Sequence, residues 1–168
     1  MSSPLHYAQA LVDRLAAKMP DCKVGHWPSN TSRYTFAQSR HELLVTYTRS
    51  SFSEVRSALP SSLTRTLALS VTCFMRSLRD SREAYDLIDR ALRALHGWQP
   101  AYLVPSEDVP GEKIWRSLGG TALRPTSDEF LSEQDGVWMW GLSFEAQRPQ
   151  VATHDAAPLT PFTLTEIV

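Results

Sequence analysis

Residues Thr64–Gly97 read TRTLALSVTCFMRSLRDSREAYDLIDRALRALHG, two periodic runs joined by a charged corner. In the first run Leu67, Leu69, Val71, Cys73 and Met75 fall on one face, and Thr66, Ala68, Ser70, Thr72, Phe74 and Arg76 on the other. A period of two with one unbroken apolar face predicts a half-buried β-strand. Arg79-Asp80-Ser81 breaks it, and Asp80 or Ser81 can accept a hydrogen bond from the first turn of a helix. The period then becomes helical. Ala84, Tyr85, Leu87, Ile88, Ala91, Leu92 and Leu95 point one way, and Arg82, Glu83, Asp86, Asp89, Arg90 and Arg93 the other. Gly97 supplies the stop. Neither element can bury its apolar side alone, so the helix is expected to lie on the strand's apolar face. Each large side chain buried there contributes roughly 1.5–3 kcal/mol. The unit is a scaffold and carries no chemistry.

To its N-terminal side, Pro4–Met19 predicts another amphipathic helix. Ser3 is its cap, Pro4 suits its first position, and Leu5, Ala8, Leu11, Val12, Leu15, Ala16 and Met19 form its stripe. Pro20 ends it. Cys22–Trp27 reads as a short strand, Pro28–Ser32 as a turn, and His41–Ser50 as a second strand with Leu43, Val45 and Tyr47 on one side. Apolar Leu44 on the other side implies that both faces are partly covered. Ser51–Leu63 then joins two strands by far more than the two to five residues of an ordinary hairpin loop. It also carries Phe52, Val55 and Leu59, which a purely solvated loop does not need.

To the C-terminal side, Tyr102-Leu103-Val104 reads as a strand and Glu107–Gly120 as irregular. Thr121–Leu131 reads as a strand interrupted by Pro125. Asp135-Gly136 is a strong hairpin signal. Val137–Ala146 is the last strand, with Trp138, Trp140, Leu142, Phe144 and Ala146 on one face. Past Arg148 the chain turns Pro-, Thr- and Ala-rich. Residues 1–148 are therefore expected to form one α+β domain and residues 149–168 an extended arm.

Composition narrows the function. The chain has 168 residues, enough for one domain with a real core. Its net charge is −1, which gives the whole molecule no electrostatic pull toward DNA or a membrane. Cys22 and Cys73 read as buried free thiols, because no secretion signal accompanies them. No apolar run approaches the ~20 residues that span a bilayer. A soluble chain made in the cytoplasm is expected.

No catalytic constellation emerges. His6, His26, His41, His96 and His154 lack metal-ligand spacing and read as surface or capping residues. Gly119-Gly120 has neither the pattern nor the helix of a phosphate cradle. Asp128, Glu129, Glu133 and Asp135 could hold a cation through carboxylates but lack an EF-hand pattern, and they read as a solvated acidic turn. Trp138 and Trp140 could stack bases or sugars. Because they share a face with Leu142 and Phe144, they read first as core. No cofactor or metal is expected, and no enzyme.

Taken together, the N-terminal helix, the strand containing LLVTY and the long arginine-bearing loop form one half of a pattern. The strand RTLALSVTCFMRS, the helix AYDLIDRALRAL and the closing EQDGVWMWGLSFEA form the other. Over Leu5–Val151 this resembles the tail-terminator proteins of Mu-like phages and prophages, related in role to the minor tail protein U of lambda. The resemblance implies an α+β fold in which one mixed, mostly antiparallel sheet of four to five strands carries two main helices. It implies a non-enzymatic virion protein of the tail neck, assembled in the host bacterial cytoplasm. Such a protein forms a ring, typically of six copies, that caps the tail tube and ends its polymerisation. Its implied partners are its own copies, the tail tube protein and the head-completion or connector protein, with DNA passing through the lumen unread. The interface candidates are Phe52, Val55, Arg56 and Leu59 in the long loop, and Leu159, Phe162 and Leu164 in the arm. The alternative is a small-ligand or nucleic-acid binding module on the Trp138/Trp140 face.

Overall fold

The computed structural model describes residues 3–29, 41–53, 62–76, 81–105, 111 and 113–151. The elements are α1 (Pro4–Lys18), β1 (Lys23–His26), β2 (Glu42–Phe52), β3 (Ser62–Arg76), α2 (Ser81–Leu95), β4 (Ala101–Pro105), β5 (Lys113–Ser117), β6 (Arg124–Gln134) and β7 (Val137–Val151). A five-stranded sheet runs in the order β1-β2-β3-β7-β6, and β4 and β5 form a separate two-stranded sheet. Among the described residues β1–β2 is parallel, and β2–β3, β3–β7 and β6–β7 are antiparallel. The fold is α+β, with a mixed sheet and two helices.

The alternating face of β3 is the centre of the core. Leu67, Leu69, Val71, Cys73 and Met75 are all buried, and across β7 they meet Ala146, Phe144, Leu142, Trp140 and Trp138 in register. Both helices cover this side. α1 contributes Tyr7, Ala8, Leu11 and Leu15; α2 contributes Ala84, Leu87, Ile88, Ala91 and Leu95. α1 lies against β1, β2 and β4, and α2 against α1 and β7. Leu44 and Phe74, on the opposite face, are also buried.

Three expectations are corrected. Glu107–Gly120 is not irregular throughout, because Lys113–Ser117 pairs with β4 from Ala101↔Ser117 to Pro105↔Lys113. A run as short as KIWRS carries too little periodicity to reveal a strand without its partner. Tyr85 does not belong to the buried stripe of α2, being 53% exposed. It sits at the margin of the stripe, edge-on to Trp140 of β7. β7 does not stop at Ala146 but continues through Pro149 to Val151. Pro149 is tolerated because the strand's pairing there is with β3 alone, opposite Thr64, and its other side carries no β6 residue.

Candidate functional site

β2, β3 and β7 outrun the core. The last fully buried positions are Leu67 and Ala146, yet β3 and β7 remain paired to Ser62↔Val151. A bulge at Tyr47/Arg49 bends β2, and the Thr48 hydroxyl donates to the Ala68 carbonyl at 2.9 Å. Beyond the bulge the ladder continues to Phe52↔Arg65, and the Ser53 N–H donates to the Thr64 carbonyl at 2.9 Å. The result is a three-stranded ribbon that continues past the last buried core positions. Phe52 stands near its end, 53% exposed, with the Arg65 guanidinium 5.5 Å above its ring. Arg65 Nε also donates to Ser50 Oγ at 2.8 Å, which holds the guanidinium in place. Val55, Arg56, Leu59, Leu159, Phe162 and Leu164 lie outside the described residues, as do Asp80 and His154.

A second exposed surface lies at the other sheet edge. β6 is a long edge strand with almost every residue solvent-facing. Its Phe130 ring lies 5.8 Å from both Trp138 and Trp140, and Tyr85 meets Trp140 edge-on at 6.0 Å. Phe130 is 49% exposed, and Trp138 and Trp140 are half-buried against the core. Trp140 Nε1 is buried with no hydrogen-bond partner. The tryptophans therefore pack against the core, as their face shared with Leu142 and Phe144 implies, and they also meet the exposed rings of Phe130 and Tyr85. Phe130 was not singled out by sequence reasoning. The signal was present but masked: a two-residue turn at Asp135-Gly136 places Leu131 opposite Trp140, and a bulge at Phe130/Ser132 substitutes Phe130. Asp128, Glu129, Glu133 and Asp135 are spread along this edge and its turn, exposed. Among the described residues no group of three or more His, Cys, Asp or Glu is placed to hold a metal ion.

The remaining polar features are local. His6 Nδ1 accepts from the Ser3 N–H at 3.0 Å, His26 Nε2 meets Gln9 Oε1 at 2.8 Å, and His41 Nδ1 faces the Arg76 N–H at 3.4 Å. These are capping and surface roles. Cys22 and Cys73 are free and buried. Burial pushes the Cys22 thiol up to about 11 and the Cys73 thiol up to about 12, so both stay protonated and unreactive at neutral pH. Asp21 accepts both terminal amines of Arg90, which holds its carboxyl below the usual range. A cleft of about 340 Å³ lies between Phe74, Arg76, Gln134, Asp135, Val137 and Met139, and this lining holds no nucleophile–base pair.

The family model of the Gp37 protein matches residues 11–109, more than half of the chain. The chain belongs to the Gp37 protein family. Gp37 is a phage-related family, so the chain is a phage protein. The matched part runs from α1 through β4 and includes Phe52 and the connection after it. The β6–β7 edge lies beyond it. No curated protein matches the chain. Among the described residues no helix is long and apolar enough to cross a membrane.

Proposed function

We propose that this Gp37-family protein is a non-enzymatic structural component of the phage tail neck. Copies of the chain form a ring, six being the expected number, that caps the tail tube and ends its polymerisation. The ring then joins the tail to the head-completion or connector protein, and DNA passes through its lumen without being read. The observation that carries the proposal is the pairing of a phage-family match with a subunit that exposes Phe52 on one side and an aromatic sheet edge on another. A ribbon carrying Phe52 and an aromatic sheet edge suit subunit contacts, because different patches on one chain can meet on neighbouring copies. No metal or organic cofactor takes part. The test is electron microscopy of particles lacking this protein, complemented by the wild-type chain. Overlong or headless tails that revert on complementation support the proposal. Tails of normal length joined to heads overturn it.

The aromatic surface keeps a second reading open, a ligand or nucleic-acid module at Trp138 and Trp140. Its acidic surroundings speak against nucleic acid, whose phosphates need cations.

A further inference from the structure

We propose that the aromatic, acid-flanked edge at β6 docks into the basic cleft between α1 and α2 of a second copy of this chain. The proposal rests on the ring reading and names its interface. On one side of the contact stand Phe130, Tyr85, Trp138 and Trp140, joined ring to ring. Asp128, Phe130 and Glu133 pair with Leu142, Trp140 and Trp138, so the two acids share the aromatic side of β6. The one arginine of β6, Arg124, is paired with Glu145 at 3.1 Å, which leaves the strand's outer stretch acidic.

On the other side, Arg14, Lys18, Arg90 and Arg93 surround a cleft of about 290 Å³ above Ala94. Arg90 is committed to Asp21. Lys18 and Arg93 are exposed. Arg14 donates to the Ala94 carbonyl at 3.1 Å and lies 5.4 Å over the Trp98 ring. This cleft already holds one cation against an aromatic ring, and the same attraction is available to Phe130 and Tyr85 of a neighbour.

The two patches stand apart on one copy. Tyr85 lies near the start of α2 and Arg93 near its end, about 12 Å apart along the axis. Opposite charge on two separate patches of one chain favours a head-to-tail contact between copies, the type that closes rings. Acids on an exposed edge strand also discourage indiscriminate strand pairing, and they would do so whether or not a neighbour docks there. The experiment separates these roles.

The full chain is prepared as Asp128→Arg/Glu133→Arg and, separately, as Lys18→Glu/Arg93→Glu. Sedimentation velocity is run on the wild type, on each variant and on their equimolar mixture, with folding checked by thermal melts. The expected result is that the wild type associates and each variant alone associates on the order of a hundredfold more weakly. The mixture recovers, because reversed patches then face complementary ones. If a reversal variant unfolds, Asp128→Asn/Glu133→Gln replaces it, and the expected result is weaker association with a shallower salt dependence. Association of both reversal variants at wild-type strength overturns the interface and leaves the ring reading standing. A wild type that stays monomeric in solution and on tail tubes overturns both.

Discussion

Gly119-Gly120 shows how one residue position acquires meaning only in the fold. Both glycines have positive φ, at 80° and 85°. A Cβ on Gly119 would meet nothing, but one on Gly120 would lie 2.4 Å from the Gln147 carbonyl oxygen of β7. Gly120 is therefore required by a close approach of backbone to backbone, and Gly119 by its dihedral angle alone. Gly120→Ala is expected to lower stability by clearly more than Gly119→Ala, whose cost is roughly 1–3 kcal/mol of backbone strain alone; paired thermal melts check the difference. Tyr7 offers a second residue-scale outcome. Its hydroxyl donates to the Gly119 carbonyl at 3.0 Å and also reaches the Leu118 carbonyl at 3.3 Å, tying α1 to the same corner. Burial raises its pKa, against the lowering influence of Arg148 and then Arg65. The folded state thus holds the phenolic proton more tightly than the unfolded state. The stability this brings is complete below the unfolded value near 10 and is lost as pH rises toward the folded one. Tyr7→Phe should cost about 0.5–1.5 kcal/mol at neutral pH and flatten the alkaline decline, read from denaturant midpoints across pH.

Among the elements, α2 and the β2–β3 ribbon make opposite demands. α2 is held by burial: Ile88 is inside the core beside Leu87, Ala91 and Leu95. Ile88→Ala should cost about 2–5 kcal/mol through lost contact and a residual cavity, measured by chemical denaturation. Tyr85, exposed and edge-on to Trp140, anchors the helix far less than the periodicity of α2 suggests. The ribbon is held by its ladder, and Phe52 stacks under Arg65. Phe52→Ser should therefore leave the subunit's melting within about 0.5 kcal/mol of wild type, while capping of tail tubes is lost. A large drop in the subunit's own stability would show instead that Phe52 belongs to its core.

Across the described residues, helices cover one side of the sheet, and the candidate contacts are the ribbon, the β6 edge and the cleft between the two helices. β7 remains paired as far as Val151, so the useful truncation lies after Val151, beyond the arm boundary read from composition. A chain ending there should melt like the full chain but join heads to tails poorly, scored by complementation of a deletion phage. Normal joining by that chain would remove residues 152–168, with Leu159, Phe162 and Leu164, from the proposed interface.

Local pattern was enough for much of this protein. The strict alternation at Leu67–Met75, the helical stripe at Ala84–Leu95, Gly97 at φ 73° and the Asp135-Gly136 turn each carry their physics within a few neighbouring residues. Their burial and geometry could be read before any partner was known, and with them the α+β class. Tertiary structure alone decided the rest, because the cause lies in another part of the chain. KIWRS is a strand because β4 is there to pair with it. Gly120 is required because β7 passes within reach of a Cβ. A bulge, which costs one unpaired residue and leaves no composition signal, placed Phe130 instead of Leu131 against Trp140. The parallel pairing of β1 with β2 is likewise a matter of topology that no local period encodes.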